Sequence, residues 1–262
     1  KGRIDMKASD VELLDHSFTI QEPNFEISRL QFAKKEYVQY MTAEAAPNPT
    51  DTILEVASGT CLCGRAFAPC VRTVVCVDAT VSMLEEGKRE AEKVQLENLC
   101  FVKGYAEELP FLDNSFDLVF SRLAFHHFTD VSRAFSEMVR VLKPGGKLLL
   151  VDMAAAEETL RTTEDQLETL RDPSHVKNLS LAEMKGLFES HRLVIEKCQN
   201  TKILQRLNDW VHLTNTPAPA KETITARMEA ELNGKDKTGF SPFRTEDGIC
   251  FYQNWILILG RK

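Results

Sequence analysis

Thr52-Ile53-Leu54-Glu55-Val56-Ala57-Ser58-Gly59-Thr60-Cys61-Leu62-Cys63-Gly64 decides how this chain is read. Thr52 to Ala57 is a short apolar run rich in aliphatic residues, the pattern of a buried strand. Ser58 and Gly59 open a loop, and a helix is expected to start near Cys63. Small residues after a strand let backbone amides approach a ligand, and the N-terminus of the next helix favours an anion. Gly59 to Gly64 follows the spacing G-x-G-x-x-G with Cys61 in place of the middle glycine. Asp78 lies 19 residues beyond Gly59 and ends a second strand, Val74 to Val77. A carboxylate there can accept hydrogen bonds from ribose hydroxyls. Loop, acid and spacing together point to a nucleotide-type cofactor.

Downstream, strands and helices alternate. Thr80 is the expected N-cap of a helix reaching about Val94, and Leu99 to Lys103 and Phe116 to Phe120 read as strands. Asp130 caps a helix with Val131, Phe135, Met138, Val139 and Leu142 on one face, terminated by Pro144-Gly145-Gly146. Lys147 to Val151 is an apolar central strand. Such alternation implies right-handed βαβ units in a doubly wound, Rossmann-like α/β sheet. Ligands of these sheets bind beyond the carboxyl ends of the strands. That gathers Ala57 to Cys61, Asp78, Gly104 to Glu107, Ser121 to His127 and Asp152 at one crevice.

The flanks differ in character. Residues 1–46 read as an N-terminal helical cap, with Phe25 to Met41 loosely amphipathic through Ile27, Leu30, Phe32, Val38 and Met41. Pro47 and Pro49 close it, and residues 47–262 form the main domain. After Asp152, Glu157 to Arg171 reads as a helix, and Ser180 with Glu183 forms a capping box for a helix ending at Ser190. Leu193 to Cys198 and Phe251 to Leu259 are the sixth and seventh strands. Between them, residues 200–247 are polar, carry Trp210, Pro217, Pro219 and Gly239, and are expected to form a substrate cap.

Composition narrows the partners. A net charge of −7 without any basic run argues against a nucleic-acid partner, whose phosphates demand clustered Lys and Arg. No apolar stretch approaches the ~20 residues of a membrane span, and Lys1 to Asp10 is too polar for a signal peptide. Four of the seven cysteines cluster at Cys61, Cys63, Cys70 and Cys76, but their spacing lacks the paired knuckles of a zinc site. No metal is expected, and reduced thiols in a cytoplasmic protein are the ordinary reading. A small-molecule substrate is the expected partner, with homodimerisation left open.

Dinucleotides and S-adenosylmethionine both suit the loop, and three further stretches separate them. Gly104-Tyr105-Ala106-Glu107-Glu108-Leu109-Pro110-Phe111 follows the third strand, Ser115-Phe116-Asp117-Leu118-Val119 opens the fourth, and Glu137-Met138-Val139-Arg140-Val141-Leu142-Lys143-Pro144-Gly145-Gly146 leads into the fifth. In this order, over about residues 50 to 152, they resemble the class I S-adenosylmethionine-dependent methyltransferases, in the branch of the ubiquinone/menaquinone-biosynthesis C-methyltransferases. Arg171-Asp172-Pro173-Ser174-His175-Val176 also resembles a bacterial subgroup of that branch. The resemblance implies a seven-stranded sheet, mostly parallel, whose last strand is antiparallel. It implies that Glu55 organises the loop, that Ala57, Ser58 and Gly59 line the methionine part of the cofactor, and that Asp78 holds the ribose. It further implies Ala79 and Met83 against the adenine or ribose, Ala106 and Glu107 flanking the adenine, and Ser121 and Arg122 facing cofactor and substrate. The family usually has glycine where Cys61 stands and often Asp where Tyr105 stands. A side chain at 61 is expected to crowd the methionine portion or shift the loop.

A sulfonium methyl is already activated, so methyl transfer needs an in-line approach and exclusion of water, with a general base for some acceptors. The candidate bases are His126, His127 and Asp152, followed by His175 and His16; Tyr37 or Tyr40 can close over the cofactor. Two other functions fit the residues less fully: a non-catalytic relative that binds a nucleoside or a protein partner, and an NAD-type oxidoreductase.

Overall fold

The strand that opens the reading becomes β1 (Thr52–Val56) and sits inside the sheet, paired in parallel with β2 (Thr73–Asp78) and β4 (Phe116–Arg122). A computed structural model describes residues 8–27, 31–155 and 157–262; expectations for residues 1–7 and for Leu30 lie outside them. β3 (Leu99–Lys103) lies outside β2, and β5 (Leu142–Ala154) follows β4, all parallel. β8 (Gly248–Arg261) then runs antiparallel between β5 and β6 (Val194–Arg206). The order is β3-β2-β1-β4-β5-β8-β6. An eighth strand, β7 (Phe243–Thr245), pairs with the start of β8 and was not expected.

Two apolar layers cover the faces of this sheet. Leu54, Val56 and Val119 point to one, with Phe135 and Met138 of α5 (Val131–Val141). Ile53, Leu118 and Phe120 point to the other, with Phe67 of α3 (Leu62–Phe67) and Met41 of α2 (Lys35–Ala45). This alternation follows from the period of two along a strand. α4 (Val81–Lys93) joins β2 to β3. Asp130 caps α5 by accepting from the Arg133 amide (2.9 Å).

Several boundaries depart from the sequence reading. Phe25–Met41 is not one helix: α1 (Ala8–Phe25) ends at Phe25, and Lys34 is extended before α2 begins. Thr80 precedes α4, but its side chain makes no capping bond, and its amide donates to Asp78 instead. α5 stops at Val141, ahead of Pro144, because Leu142 turns extended and pairs with Phe116. β6 continues to Arg206, so residues 200–206 belong to the sheet. The segment beyond holds α8 (Leu207–Leu213) and α9 (Ala218–Leu232), which pack with α6 (Arg161–Arg171) around Trp210, Ile224 and Phe251. The Ser180–Glu183 capping box opens α7 (Leu181–Ser190).

Candidate active site

The loop after β1 is built around two carboxylates. Glu55 Oε2 accepts from the Gly64 amide (2.8 Å), anchoring the first turn of α3 to the strand. A Cβ on Gly64 would sit 2.7 Å from both Cys76 Sγ and Glu55 Oε2, so only glycine allows this approach. Burial pushes the Glu55 carboxyl up to about 8, against the opposing pull of that amide and of Arg122. Asp78 closes the other side: Oδ2 accepts from the Gly59 amide (2.7 Å) and Oδ1 from the Thr80 amide (2.8 Å). Each oxygen keeps a further lone-pair site. Desolvation raises the Asp78 pKa against the pull of these amides. Beyond β3, Arg133 Nε donates to the Glu107 carbonyl (3.0 Å) and Glu137 accepts from the Leu109 amide (2.9 Å), which fixes the Ala106–Glu107 turn.

These loops border one cavity of 420 Å³, within the usual range for small-molecule sites. Glu55, Ala57, Ser58, Gly59, Asp78 and Ala79 line one half, together with Gly104 to Glu107. Arg122, His126, His127 and His175 line the other. Arg122 stands between the rings of Phe32 (4.9 Å) and Trp255 (5.3 Å), with Nη2 donating to the Phe32 carbonyl (2.8 Å). Its Nη1 is buried and has no hydrogen-bond partner among the described residues.

The adjacent histidines have opposite surroundings. Asp152, at the end of β5, pairs with His126 Nδ1 (2.6 Å) and accepts from the amides of Ala124 (3.1 Å) and Phe125 (2.5 Å). Burial opposes the charge on both partners, but their mutual attraction outweighs it, so His126 is raised and Asp152 lowered. His127 Nδ1 donates to the Ser174 carbonyl (3.1 Å). Burial and the neighbouring His126 drop its pKa to about 3 and keep it neutral. His175 Nε2 bonds Asp165 (2.9 Å).

Four expected site residues do not line the cavity. Cys61 adopts the left-handed conformation (φ +57°), which turns its thiol down against Gly87 of α4 instead of into the cavity. Of the two expectations for position 61, the geometry matches an adjusted loop that keeps the thiol out of the cavity lining. Met83 is fully buried on α4 with Leu84, Gly87 and Ala91 and is absent from the cavity lining. Ser121 is the strand neighbour of Arg122, so alternation sends it to the opposite face. Asp152 is 1 % exposed, with its oxygens engaged by His126 and backbone amides, so it positions and does not act as a base. Among the weaker candidates, His16 is exposed and also absent from the lining, Tyr37 packs on Trp255, and Tyr40 donates to Gln199.

Caps are expected at residues 1–46 and 200–247, but the sequence does not name the side chains of lid and far wall. Phe18, Gln21 and Phe25 project from α1 over the cavity, and Gln205, Trp210 and Trp255 close the distal end. The i, i+3, i+7 spacing of the α1 residues was a usable signal. Trp210 belongs to the expected substrate cap, whereas Trp255 lies in the last strand and has no such signal. Among the described residues, no group of three or more His, Cys, Asp or Glu is placed to hold a metal, and no helix is long and apolar enough to cross a membrane.

Comparison with known proteins agrees with this architecture. A family model described as a methyltransferase domain matches residues 54–150. The uncharacterized methyltransferase YcgJ of Bacillus subtilis is 35% identical over 233 residues, spanning 88% of this chain and 92% of YcgJ. The YcgJ crystal structure superposes with a TM-score of 0.78 at 33% identity, covering 87% of this chain and 98% of that one. BH2331 of Bacillus halodurans C-125 superposes with a TM-score of 0.79 at 28% identity, covering 87% and 99%. The ubiquinone/menaquinone biosynthesis C-methyltransferase UbiE of Cereibacter sphaeroides is 39% identical over 113 residues, 42% of this chain and 45% of UbiE. With the loop, the sheet order and a likeness to YcgJ over most of both chains, this protein belongs to the class I S-adenosylmethionine-dependent methyltransferases.

Proposed function

We propose that the chain binds S-adenosylmethionine over the loops after β1, β2 and β3 and transfers its methyl group to a small molecule held between β4, β5 and the cap. The observation that carries this reading is the continuity of one cavity from Asp78 and Glu107 to His126 and Trp255, so that cofactor and acceptor share an enclosed space. The residues fit the cofactor. Asp78 has lone pairs left for ribose hydroxyls, and Gly59 has only the Phe25 ring, 4.0 Å from an added Cβ, above it. Arg122 lines the cavity with Glu55 and supplies a positive charge for the methionine carboxylate. When bound, the cofactor supplies an electrophilic methyl on a sulfonium. The chain's own contribution is to orient the partners and exclude water, through α1 above and Trp210 and Trp255 behind. All seven cysteines are unpaired, in keeping with a reducing, cytoplasmic setting.

Calorimetry with S-adenosylmethionine and S-adenosylhomocysteine tests the reading. Saturable binding is expected, weakened about tenfold or more by Asp78→Ala, a loss on the order of 1.4 kcal/mol. No binding by the wild-type protein would sink it. The reading as a non-catalytic nucleoside binder drew on Cys61 and Tyr105, and the inward turn of Cys61 removes the first of these supports.

A further inference from the structure

The acceptor half of the cavity combines features that point to one acceptor chemistry. Its walls include the aromatic rings of Phe18, Trp210 and Trp255, and no lysine among the described residues lines it. Two of its charged groups are spent on the protein: Arg171 pairs with Glu168 (2.8 Å), and Asp172 accepts from Gln21 (3.0 Å) and from Ser174 Oγ (2.6 Å), while Arg122 is the charge assigned above to the cofactor's carboxylate. Asp209 sits in the first turn of α8, where it complements that helix's own amides. A charged acceptor would find little here to pair with, whereas a neutral aromatic one fits.

One group in this half is set up to take a proton. Asp152 holds His126 Nδ1, and Nε2 has no hydrogen-bond partner among the described residues although the side chain lines the cavity. Asp152 is fixed in turn by the Ala124 and Phe125 amides, so ring and carboxylate are a rigid pair. A neutral amine attacks a methyl group without a base, and a carboxylate is already ionised. Thiols, acidic carbons and phenol-type hydroxyls depend on losing a proton as the bond forms, and of these the phenol-type hydroxyl also matches the aromatic walls.

We propose that the acceptor is a neutral aromatic hydroxyl compound, and that His126, positioned by Asp152, is the base that takes its proton. This rests on the methyltransferase reading above. The acceptor O–H bond breaks and its proton passes to His126 Nε2. An O–CH₃ bond forms as the sulfonium C–S bond breaks, and sulfur keeps the electron pair. The products are a methyl ether, S-adenosylhomocysteine and an imidazolium that returns its proton to solvent. His127, its Nδ1 committed to the Ser174 carbonyl and its ring held neutral, serves as wall. The groups facing His126 are Asp152 from β5, His127 from its own turn, His175 from the segment after α6, and Glu168 and Arg171 from α6. Asp152 and Glu168 favour the imidazolium and Arg171 opposes it.

The probe is 4-nitrophenol, about as acidic as imidazolium, whose phenolate has its own absorption band. It is titrated into the S-adenosylhomocysteine complex at mildly acid pH, where the free probe is mostly neutral. The wild-type complex is expected to bind it as phenolate. His126→Asn keeps a donor for Asp152 but deletes Nε2; it should abolish the phenolate band while still binding the methyl ether 4-nitroanisole as the wild type does. Asp152→Asn should move the bound probe's ionisation to higher pH. If the wild type fails to bind S-adenosylhomocysteine, the methyltransferase reading fails. If it binds S-adenosylhomocysteine but shows no phenolate band, or if His126→Asn keeps the band, the acceptor proposal is overturned and the methyltransferase reading stands.

Discussion

At position 61 the chain holds a side chain in glycine's conformation, and the thiol finds its space under the loop because residue 87 is itself glycine. A left-handed non-glycine residue costs roughly 1–2 kcal/mol. Here that cost is offset by full burial of the thiol in the second core. Since the thiol points away from the cavity, Cys61→Gly should leave the dissociation constant for S-adenosylhomocysteine within about twofold of wild type by calorimetry. Gly87→Ala is the damaging change: its Cβ would meet the Thr60 carbonyl at 2.7 Å and Cys61 Sγ at 2.9 Å. A loss of about 1–3 kcal/mol is expected in urea unfolding. The sequence marked Cys61 as an anomaly but gave no sign that residue 87 answers it, because the two meet only once α4 docks on the loop.

Among the elements, α1 is the one whose removal would open the cavity. Its polar links reach α4, α8 and the residue after α6: buried Gln21 donates to Asp172 (3.0 Å), Asn24 donates to the His212 carbonyl (2.9 Å), and Glu22 reaches Arg89 (3.4 Å) at the surface. Exposed ion pairs such as the last contribute little. Gln21→Ala deletes the buried link and should speed amide exchange along α1 by about tenfold, the equivalent of one hydrogen bond, while β1 and β4 exchange as before. S-adenosylhomocysteine should slow the same amides. β1 to β5 were legible in sequence because buried parallel strands are continuous apolar runs between turn signals. β6 and β8 were read too short. Gln199, Asn200, Thr201 and Lys202 make the second half of β6 look like a loop, and only its pairing with β8 as far as Arg206 makes it a strand. α1 and α2 were merged with the segment between them because one loose apolar periodicity runs across it.

Across the whole molecule, the sequence names residues in both halves of the site, but roles in the second half need the tertiary structure. Glu55, Gly59, Asp78 and Glu107 occupy strand ends whose geometry the fold class dictates. The choice between His126 and His127 depends on Asp152 and Ser174, and the distal wall depends on the cap, so both required the tertiary structure. Stability against pH reports on the first half. Glu55 has a folded pKa of about 8, above its ordinary 4.5, so the folded state holds an extra proton between these values. Its contribution is fully present below about pH 4.5 and is lost as pH rises towards 8. Glu55→Gln keeps a carbonyl oxygen for the Gly64 amide without the charge. Its Tm should match wild type near pH 4.5 and exceed it by several degrees at pH 8, with roughly 2–4 °C expected per kcal/mol.

The placement of β8 between β5 and β6 has a consequence for how the protein is made. Chains leave the ribosome N-terminus first, and β6 has no neighbour in the sheet except a strand that is synthesised more than forty residues later. Until Gly248 to Arg261 emerges, β5 offers an open edge of Leu148, Leu149, Leu150 and Val151, and β6 stands unpaired beside it. The nascent chain therefore carries two adhesive edges through much of its synthesis, and insertion of β8 removes the β5 edge and gives β6 its partner. Chaperone demand should be concentrated in that interval, and a chain stopped before β8 should aggregate rather than persist as a smaller folded methyltransferase core.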